Sequence, residues 1–323
     1  MPRLLKAITF LLLAAFTLAS SGDRQPIYQN CVRQCLKGGC TELSIDLKLT
    51  LWTCEANCRY ECTHTVTKVL VEGGHGVHQF HGKWPFIRML GLQEPASVLF
   101  SILNGYMHWI GYRKLKRAPS GGGAGAWRSL YMTNALLAMS GWFWSSIFHA
   151  RDTSFTEKMD YFSAILMITF NAYMSLVKTF NLSNPNNRGY RALLRLLLIS
   201  FYVIHVSKLT FWPFDYGYNM IAGITVGMIS NLSWIYWCTT NRANRRYWWK
   251  MVLFVVLLMS AMLLEVLDFP PYLWILDAHA LWHAATVPLV YLYYSFFVDD
   301  LHYEVTNTGG RTLRSGRSNG KIV

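Results

Sequence analysis

Five polar residues lie in, or at the ends of, segments of the chain that are otherwise apolar. They are Ser145, His149, Asp160, His279 and His283. Ser145 and His149 are four residues apart, as are His279 and His283. At that spacing two side chains share one face of a helix, with Cβ atoms about 5–6 Å apart. Because ionisable side chains are costly inside a membrane, such a set is a candidate functional site.

Three imidazoles, one carboxylate and one hydroxyl are the groups that a catalytic zinc site uses. His279 and His283 can bind one metal ion from one helix face, and His149 can supply a third nitrogen. Three protein ligands leave the fourth tetrahedral position open for a water molecule, whose pKa zinc lowers to about 7. Asp160 can orient that water or take its proton, and Ser145 can hydrogen bond to the water or to the developing oxyanion. The sequence therefore predicts Zn²⁺ as cofactor, with three histidine ligands and a catalytic Ser–Asp pair.

Each residue alone also has an ordinary structural explanation. A buried histidine more often satisfies a hydrogen bond in the core than it binds a metal, and this is our interpretation of His205. Serines commonly pack between membrane helices. The histidines at positions 75, 78 and 81 lie in a loop, without the fixed facing that a helix gives, and we interpret them as surface or membrane-interface residues. It is the joint pattern of the five residues that favours a metal site.

The composition indicates which class of protein must position these residues. Of the 323 residues, 53% are hydrophobic and 15% are charged, whereas soluble domains carry about 25% charged residues. The sequence therefore predicts a polytopic membrane protein. The formal net charge is +13, which on a soluble protein would suggest a nucleic-acid partner. Here the basic residues fall mostly in short loops and in the C-terminal tail, so the charge is explained by membrane topology and no nucleic-acid binding is predicted.

The N-terminus has the pattern of a secretory signal peptide, predicted over residues 1–22. Arg3 and Lys6 precede a short apolar run, and small residues suited to cleavage follow it. Six of the seven cysteines then lie within the polar segment 23–95. An even number of cysteines behind a secretory signal predicts a disulfide framework in an oxidising lumen, with the pairing left open. The seventh, Cys238, is interpreted as a free thiol in the packing of a helix.

Seven apolar stretches follow between residues 96 and 298, ahead of a basic tail at 299–323. Their approximate bounds are 96–112, 127–147, 159–179, 190–210, 217–238, 250–268 and 274–297. Basic residues concentrate in the loops after the first, third and fifth stretches, which predicts a lumenal N-terminus and a cytosolic tail. The predicted fold is thus all-α, a seven-helix transmembrane domain preceded by a small disulfide-rich lumenal segment. This topology brings all five polar residues to the lumenal face.

The same topology places further acidic residues on the lumenal side. They are Asp215, Glu265, Asp268 and Asp277. Metal-binding histidines usually donate their second ring nitrogen to such a group. Among the four, Asp277 is favoured as the partner of a histidine.

Around the five polar residues the chain resembles a known group of seven-span membrane hydrolases, the CREST superfamily, through SxxxH, an aspartate eleven residues later and a late HxxxH. Within it, the chain is similar to the Per1-like family, the family of post-GPI attachment to proteins factor 3. The segments that carry this resemblance are FHGKWPF (80–86), QEPAS (93–97), FWSSIFHARDTSFTEKMDYF (143–162), FDYGYN (214–219), LLEVLDFPP (263–271) and LDAHALWH (276–283).

The resemblance implies an enzyme that remodels the lipid of glycosylphosphatidylinositol (GPI) anchors. The implied activity is a zinc-dependent, GPI-specific phospholipase of A2 type, which removes the unsaturated sn-2 acyl chain from GPI-anchored proteins in the Golgi membrane, or in the endoplasmic reticulum in yeast-like relatives. Matched by position, His149, His279 and His283 would hold the zinc, and Ser145 and Asp160 would be catalytic. Two alternatives stay open: a ceramidase-like amidase, and a non-catalytic zinc-containing chaperone or receptor for anchored proteins. The oligomeric state also stays open.

Overall fold

The computed structural model describes residues 20–39, 42–121 and 123–318, with side chains described to residue 306. Within these ranges the chain is helical, and its few β-bridges are isolated. The described α-helices are α1 (Pro26–Lys37), α2 (Ile45–Leu49), α3 (Cys54–Glu72), α4 (Pro95–Arg117), α5 (Ala124–Ala150), α6 (Ser154–Thr179), α7 (Arg188–Phe211), α8 (Tyr216–Thr240), α9 (Trp248–Leu267) and α10 (Ala278–Ser318). The all-α prediction is confirmed for the described residues.

The chain divides into two compact units. The site unit comprises Met1–Phe100, Ser146–Thr153 and Met262–Ala284, and the bundle unit comprises Ser101–Ser145, Ser154–Ala261 and Ala285–Val323. The site unit therefore contains α1 to α3, the end of α5 and the loop that joins α9 to α10.

Five helical stretches in the described residues are long and apolar enough to cross a membrane. They are Ser154–Thr179, Pro185–Phe211, Tyr216–Thr240, Trp248–Leu267 and Ala278–Thr306. These helices support a multi-pass membrane protein. Helices α4 and α5 have 23 and 27 residues, enough for a span of about 20, but they are not among these five. Seven spans thus stay a prediction.

Helix α4 is polar because one of its faces carries buried hydrogen-bonding side chains. Ser101, Asn104 and His108 follow one another at helical spacing, and each is less than one-tenth exposed. In the bundle unit Asn104 Oδ1 accepts a hydrogen bond from Thr286 at 3.2 Å, and His108 Nδ1 lies 2.7 Å from the hydroxyl of Tyr294. Pairing of this kind makes polar side chains tolerable inside a helix bundle.

Two disulfides join α1 to α3 in the site unit. Cys31 pairs with Cys62, and Cys35 pairs with Cys58. The two cysteines of each helix are four residues apart, so each helix presents its two sulfurs on one face. Cys54 is also disulfide-bonded, and the remaining cysteine of the segment, at position 40, lies outside the described residues. The predicted disulfide framework is confirmed.

Most of the predicted signal peptide, residues 1–19, lies outside the described residues. Ser20, Ser21 and Gly22 are described and pack on residues 78–82. The Ser20 hydroxyl accepts a hydrogen bond from the Gly82 amide at 2.6 Å, and the Gly22 amide donates to the Gln79 carbonyl at 2.9 Å. The last three residues of the predicted signal are therefore part of the folded segment.

The bundle unit has an aromatic core with a buried ionic cluster at one end. Asp300 is fully buried and receives Lys178 Nζ at 2.6 Å and Arg245 Nη1 at 2.5 Å. Cys238 is free and buried, as predicted. Helix α10 continues without a break to Ser318, so its backbone shows no boundary at residue 298, where the sequence predicts the tail to begin.

Candidate metal centre

The three predicted histidine ligands come together in the site unit. His279 Nε2 lies 3.3 Å from His149 Nε2 and 2.8 Å from His283 Nε2, and the three ligand atoms lie within 4.8 Å of one another. Zinc–nitrogen bonds of 2.0–2.1 Å at tetrahedral angles separate the ligand atoms by about 3.3 Å. Three imidazole nitrogens at this separation fit one metal ion.

The ends of two helices deliver these histidines. His149 lies in the last turn of α5, which ends at Ala150, and His279 and His283 occupy the first two turns of α10. Helix α10 begins where it does because the Asp277 carboxylate accepts a hydrogen bond from the Ala280 amide at 2.8 Å, as a residue at a helix N-cap does. His149 and His283 are buried, and His279 is half-buried.

Two carboxylates hold two of the histidine rings from behind. Glu94 Oε2 lies 2.7 Å from His149 Nδ1, and Glu265 Oε2 lies 2.6 Å from His279 Nδ1. A carboxylate on Nδ1 fixes the tautomer in which Nε2 carries the free lone pair, and it also fixes the orientation of the ring. The donor set is therefore arranged as in protein metal sites.

Glu94 is itself held by neighbours in the site unit. Its amide donates to the His149 carbonyl at 3.0 Å, which satisfies one of the open carbonyls at the end of α5. Its carboxylate forms an ion pair with Lys83, whose ammonium also lies 3.4 Å from Asp152 and 4.2 Å from the centre of the Phe148 ring. Glu94 thus links Lys83 to a metal-ligand candidate.

The charges around Glu94 keep it ionised despite its burial. Burial alone would raise the pKa of Glu94, but the Lys83 ammonium and the His149 ring together hold it well below its usual range. Burial would likewise lower the pKa of Lys83, but Glu94 and Asp152 raise it overall. A buried carboxylate of this kind stays negative and can balance the charge of a bound cation.

The favoured histidine partner from the sequence, Asp277, has a different role. Glu265, not Asp277, accepts the hydrogen bond of His279, whereas Asp277 caps α10. Burial raises the pKa of Asp277 to about 6. Asp268 accepts hydrogen bonds at 2.9 Å from both Trp84 Nε1 and Gln79 Nε2, and so ties the loop after α9 to the Cys-rich segment.

Ser145 and Asp160 belong to the bundle unit. Ser145 lies one helical turn before His149 on α5; it is buried, and its hydroxyl lies 3.0 Å from that of Ser101. Asp160 is half-buried in the second turn of α6, and its carbonyl accepts a hydrogen bond from the Ser163 hydroxyl at 3.0 Å. The catalytic roles of both residues stay predictions.

The sequence predicts no role for Glu94 or Lys83, although both lie in segments that carry the family resemblance. One signal for Glu94 was present: an acidic residue directly before the proline that begins an apolar helix. Nothing in the sequence paired it with a histidine 55 residues away, because that contact requires the end of α5 to return to the start of α4.

Comparison with known proteins now gives the family. The model of the Per1-like family matches residues 44–301. The chain belongs to the Per1-like family. The match includes His149, His279, His283 and both glutamates that hold the rings, so the whole candidate metal centre lies within the Per1-like region.

The relatives of this Per1-like chain cover almost its full length. The zebrafish protein named "GPI-specific phospholipase A2-like PGAP3" is 42% identical over 94% of this chain and 99% of its own length. The human protein of the same name is 41% identical over 90% of this chain and 92% of its own. The fission-yeast "Protein PER1 homolog" is 39% identical over 94% and 96%. No solved structure matches the chain.

Proposed function

We propose that the protein is a zinc-dependent hydrolase that removes the sn-2 acyl chain from the lipid of GPI-anchored proteins, in the lumenal leaflet of the Golgi membrane. The observation that carries the proposal is the convergence of three histidine Nε2 atoms, two of them on rings held by carboxylates. The substrate class comes from the relatives, whose name is "GPI-specific phospholipase A2-like".

The donor set favours zinc. Imidazole nitrogens suit zinc well, and three protein ligands with an open fourth position are typical of its catalytic sites. Zinc bound by His149, His279 and His283 would supply a Lewis acid and a water molecule activated at neutral pH. Glu94 and Glu265 would hold His149 and His279 in the ligand tautomer, as their hydrogen bonds to Nδ1 require.

The protein's own residues then have separate tasks in ester hydrolysis. Asp160 takes the proton of the attacking water and returns it to the departing glycerol oxygen. Ser145 donates a hydrogen bond to the oxyanion that develops on the ester carbonyl, and Ser101, 3.0 Å from it, holds the hydroxyl in place. The water oxygen joins the acyl carbon, the ester C–O bond breaks, and a fatty acid and a lyso-anchor are the products.

The position of the histidines along the chain suits a substrate that stays in the membrane. His279 lies in the first turn of α10, one of the helices that are long and apolar enough to cross a bilayer. The ends of such a helix lie near the headgroups. The sn-2 ester of a lipid lies at the same depth, so hydrolysis would require no extraction of the lipid.

The first test measures the metal before any substrate. Purified wild-type protein is expected to contain about one zinc ion per chain by elemental analysis, because the site has one set of three ligands. The His283→Gln variant is expected to lose it. The matched control is His205→Gln, since His205 is also buried and its Nε2 lies 3.1 Å from Asn219 Oδ1 rather than beside another histidine of this set. Equal zinc in wild type and His283→Gln would refute the ligand set.

The second test measures the reaction. Protein in nanodiscs is given a GPI-anchored protein with an unsaturated sn-2 chain and, in parallel, a ceramide, and released fatty acid is measured by mass spectrometry. We expect release from the anchor by wild type, and none by Asp160→Asn or Ser145→Ala, both with zinc retained. Preferential cleavage of the ceramide amide would favour the amidase alternative. Bound zinc without turnover of either lipid would favour a non-catalytic role.

A further inference from the structure

Three leucines in the site unit lie in turns where their apolar side chains are exposed and their backbone has a conformation that leucine rarely adopts. Leu51, Leu90 and Leu273 are 73%, 83% and 66% exposed. Their φ angles are 58°, 52° and 52°, in the left-handed region. A bulky side chain with positive φ is an outlier that surrounding structure must compensate. Three leucines with both properties indicate a use for their exposed side chains.

The turn at Leu90 shows the conflict most clearly. Met89 and Leu92 exchange two backbone hydrogen bonds, of 3.1 and 2.9 Å, around the tip formed by Leu90 and Gly91. Both tip residues have positive φ, as in a type I′ turn. Asn-Gly is the preferred pair in such a turn because asparagine tolerates the left-handed conformation. Leucine takes the place of asparagine here and points its side chain outward.

The three tips are tied into one surface by hydrogen bonds within the site unit. The Ile87 amide donates to the Trp274 carbonyl at 2.9 Å, which joins the Leu90 turn to the Leu273 turn. Trp52 Nε1 donates to the Gly91 carbonyl at 2.8 Å, which joins the same turn to Leu51. We call Leu51, Leu90 and Leu273 the leucine surface. Other exposed apolar residues in these segments are Ile45, Leu49, Ile87, Met89 and Tyr272.

The helices that flank these turns indicate what the leucine surface contacts. Helix α9 ends at Leu267 and α10 begins at Ala278, and both helices qualify as membrane spans. The ten residues 268–277 must therefore return along the membrane surface, and Leu273 lies in the middle of them. The Leu90 turn is bonded to that loop and ends at Leu92, three residues before α4 begins at Pro95.

We propose that the leucine surface inserts into the leaflet from which α10 starts, so that its partner is the acyl region of the bilayer beneath the headgroups. Exposed apolar side chains with polar backbone behind them are the pattern of an interfacial membrane contact. The contact would hold the disulfide-linked α1–α3 segment down on the membrane, in the same unit as the three histidines. The proposal is independent of the proposed reaction.

A nitroxide at each tip tests this placement. Leu51→Cys, Leu90→Cys and Leu273→Cys are labelled in the full-length protein in phosphatidylcholine nanodiscs, and power saturation compares collisions with oxygen and with a water-soluble nickel chelate. We expect oxygen to be favoured several-fold more at each tip than at the control Lys37→Cys, an exposed charged position at the end of α1. A ratio equal to that of the control at any of the three tips overturns the proposal.

A second measurement uses the unmodified protein, in case a cysteine variant does not fold. Wild type is placed in nanodiscs with a phosphatidylcholine that carries a diazirine near the top of its acyl chain. After illumination, lipid adducts are expected on peptides 86–92 and 272–276, as well as on the positive control α9. Adducts on α9 with none on the two loop peptides would overturn the proposal. His283→Gln protein, without the proposed activity, is expected to give the same adducts as wild type.

Discussion

Glu94 and His149 are bonded to each other twice, once through the backbone and once through the side chains. The Glu94 amide donates to the His149 carbonyl at 3.0 Å, and the Glu94 carboxylate lies 2.7 Å from His149 Nδ1. The first contact fixes where α5 ends, and the second fixes how the His149 ring is turned. Glu94, which directly precedes α4, therefore controls both the position and the orientation of His149, a candidate metal ligand.

We expect Glu94→Gln to weaken metal binding while the fold is retained. The amide can keep one hydrogen bond to His149 but lacks the negative charge that makes the ring a better ligand. Loss of such a partner lowers metal affinity by about 10- to 100-fold. The measurement is zinc affinity by chelator competition, with elemental analysis of the purified protein.

The control for this change is Glu61→Gln in the same unit. Glu61 is an exposed carboxylate that pairs with Arg88 at 3.3 Å rather than with one of the three candidate metal ligands. Its variant is expected to bind zinc as wild type does. Equal zinc affinity in Glu94→Gln and wild type would show that the His149 ring does not depend on this carboxylate.

Lys83→Met is expected to destabilise the wild-type protein more than it destabilises the Glu94→Gln variant. With the ammonium removed, a buried carboxylate loses its main counter-charge, and breaking one side of a buried ion pair typically costs about 3–5 kcal/mol. In Lys83→Met/Glu94→Gln no such charge remains, so the loss is smaller than the sum of the two single changes. The apparent unfolding temperature of the four proteins gives the comparison, and simple additivity would contradict the coupling.

The sequence alone predicts that His149, His279 and His283 lie close together, because the signals for them are local. His279 and His283 repeat at helical spacing, and the charges of the loops predict the side of the membrane from which each helix starts. The groups that orient the ligands could not be predicted with the same success. Glu94 and Lys83 act through contacts between a loop and the end of a helix, which no periodicity in the sequence encodes.

The disulfides also combine a local signal that the sequence carries with a long-range contact that it does not encode. A signal for the pairing was present, since Cys31 and Cys35 share a helical spacing of four with Cys58 and Cys62. Two helices with cysteine pairs at equal spacing can be joined by two bridges in parallel or in antiparallel order. The observed pairs, Cys31–Cys62 and Cys35–Cys58, are those of antiparallel helices, and this orientation depends on the loop between α1 and α3 rather than on the spacing.

His64 is expected to make stability depend on pH in the mildly acidic range. Its ring contacts the Phe86 carbonyl at 3.0 Å from Nε2, and burial lowers its pKa from the ordinary 6.5, against smaller opposing effects of Phe86 and Glu61; Arg88 adds to the lowering. The unfolded chain then binds a proton at a pH where the folded protein does not. The free energy of unfolding therefore falls as the pH drops below about 6.5 towards the folded pKa.

The variant His64→Gln removes this titration and keeps a donor for the Phe86 carbonyl. We expect the unfolding temperature of the variant to fall less than that of wild type between about pH 7 and pH 5. Part of the dependence remains, because burial also lowers the pKa of His81. Identical pH profiles for the two proteins would contradict the assignment of the slope to His64.

The contacts of Ser20, Ser21 and Gly22 predict where the signal peptide is cleaved. Ser20 accepts from the Gly82 amide, and Ser21 Oγ lies 2.8 Å from His78 Nδ1. A Cβ on Gly22 would lie 2.7 Å from the Phe80 ring, so the segment fits only glycine there. Because residues 20–22 pack on residues 78–82, cleavage is expected after Ala19 rather than after Gly22.

Mass spectrometry of the purified protein's N-terminal peptide tests this prediction, and a mature chain that begins at Asp23 would refute it. A substitution gives an independent readout. Gly22→Ala is expected to lower the unfolding temperature, because the added methyl group meets the Phe80 ring and the Gln79 carbonyl. The matched control is Gly76→Ala, where a Cβ meets no atom within 4 Å. If residues 20–22 were removed with the signal, the mature protein would not contain position 22, and Gly22→Ala would leave its stability unchanged.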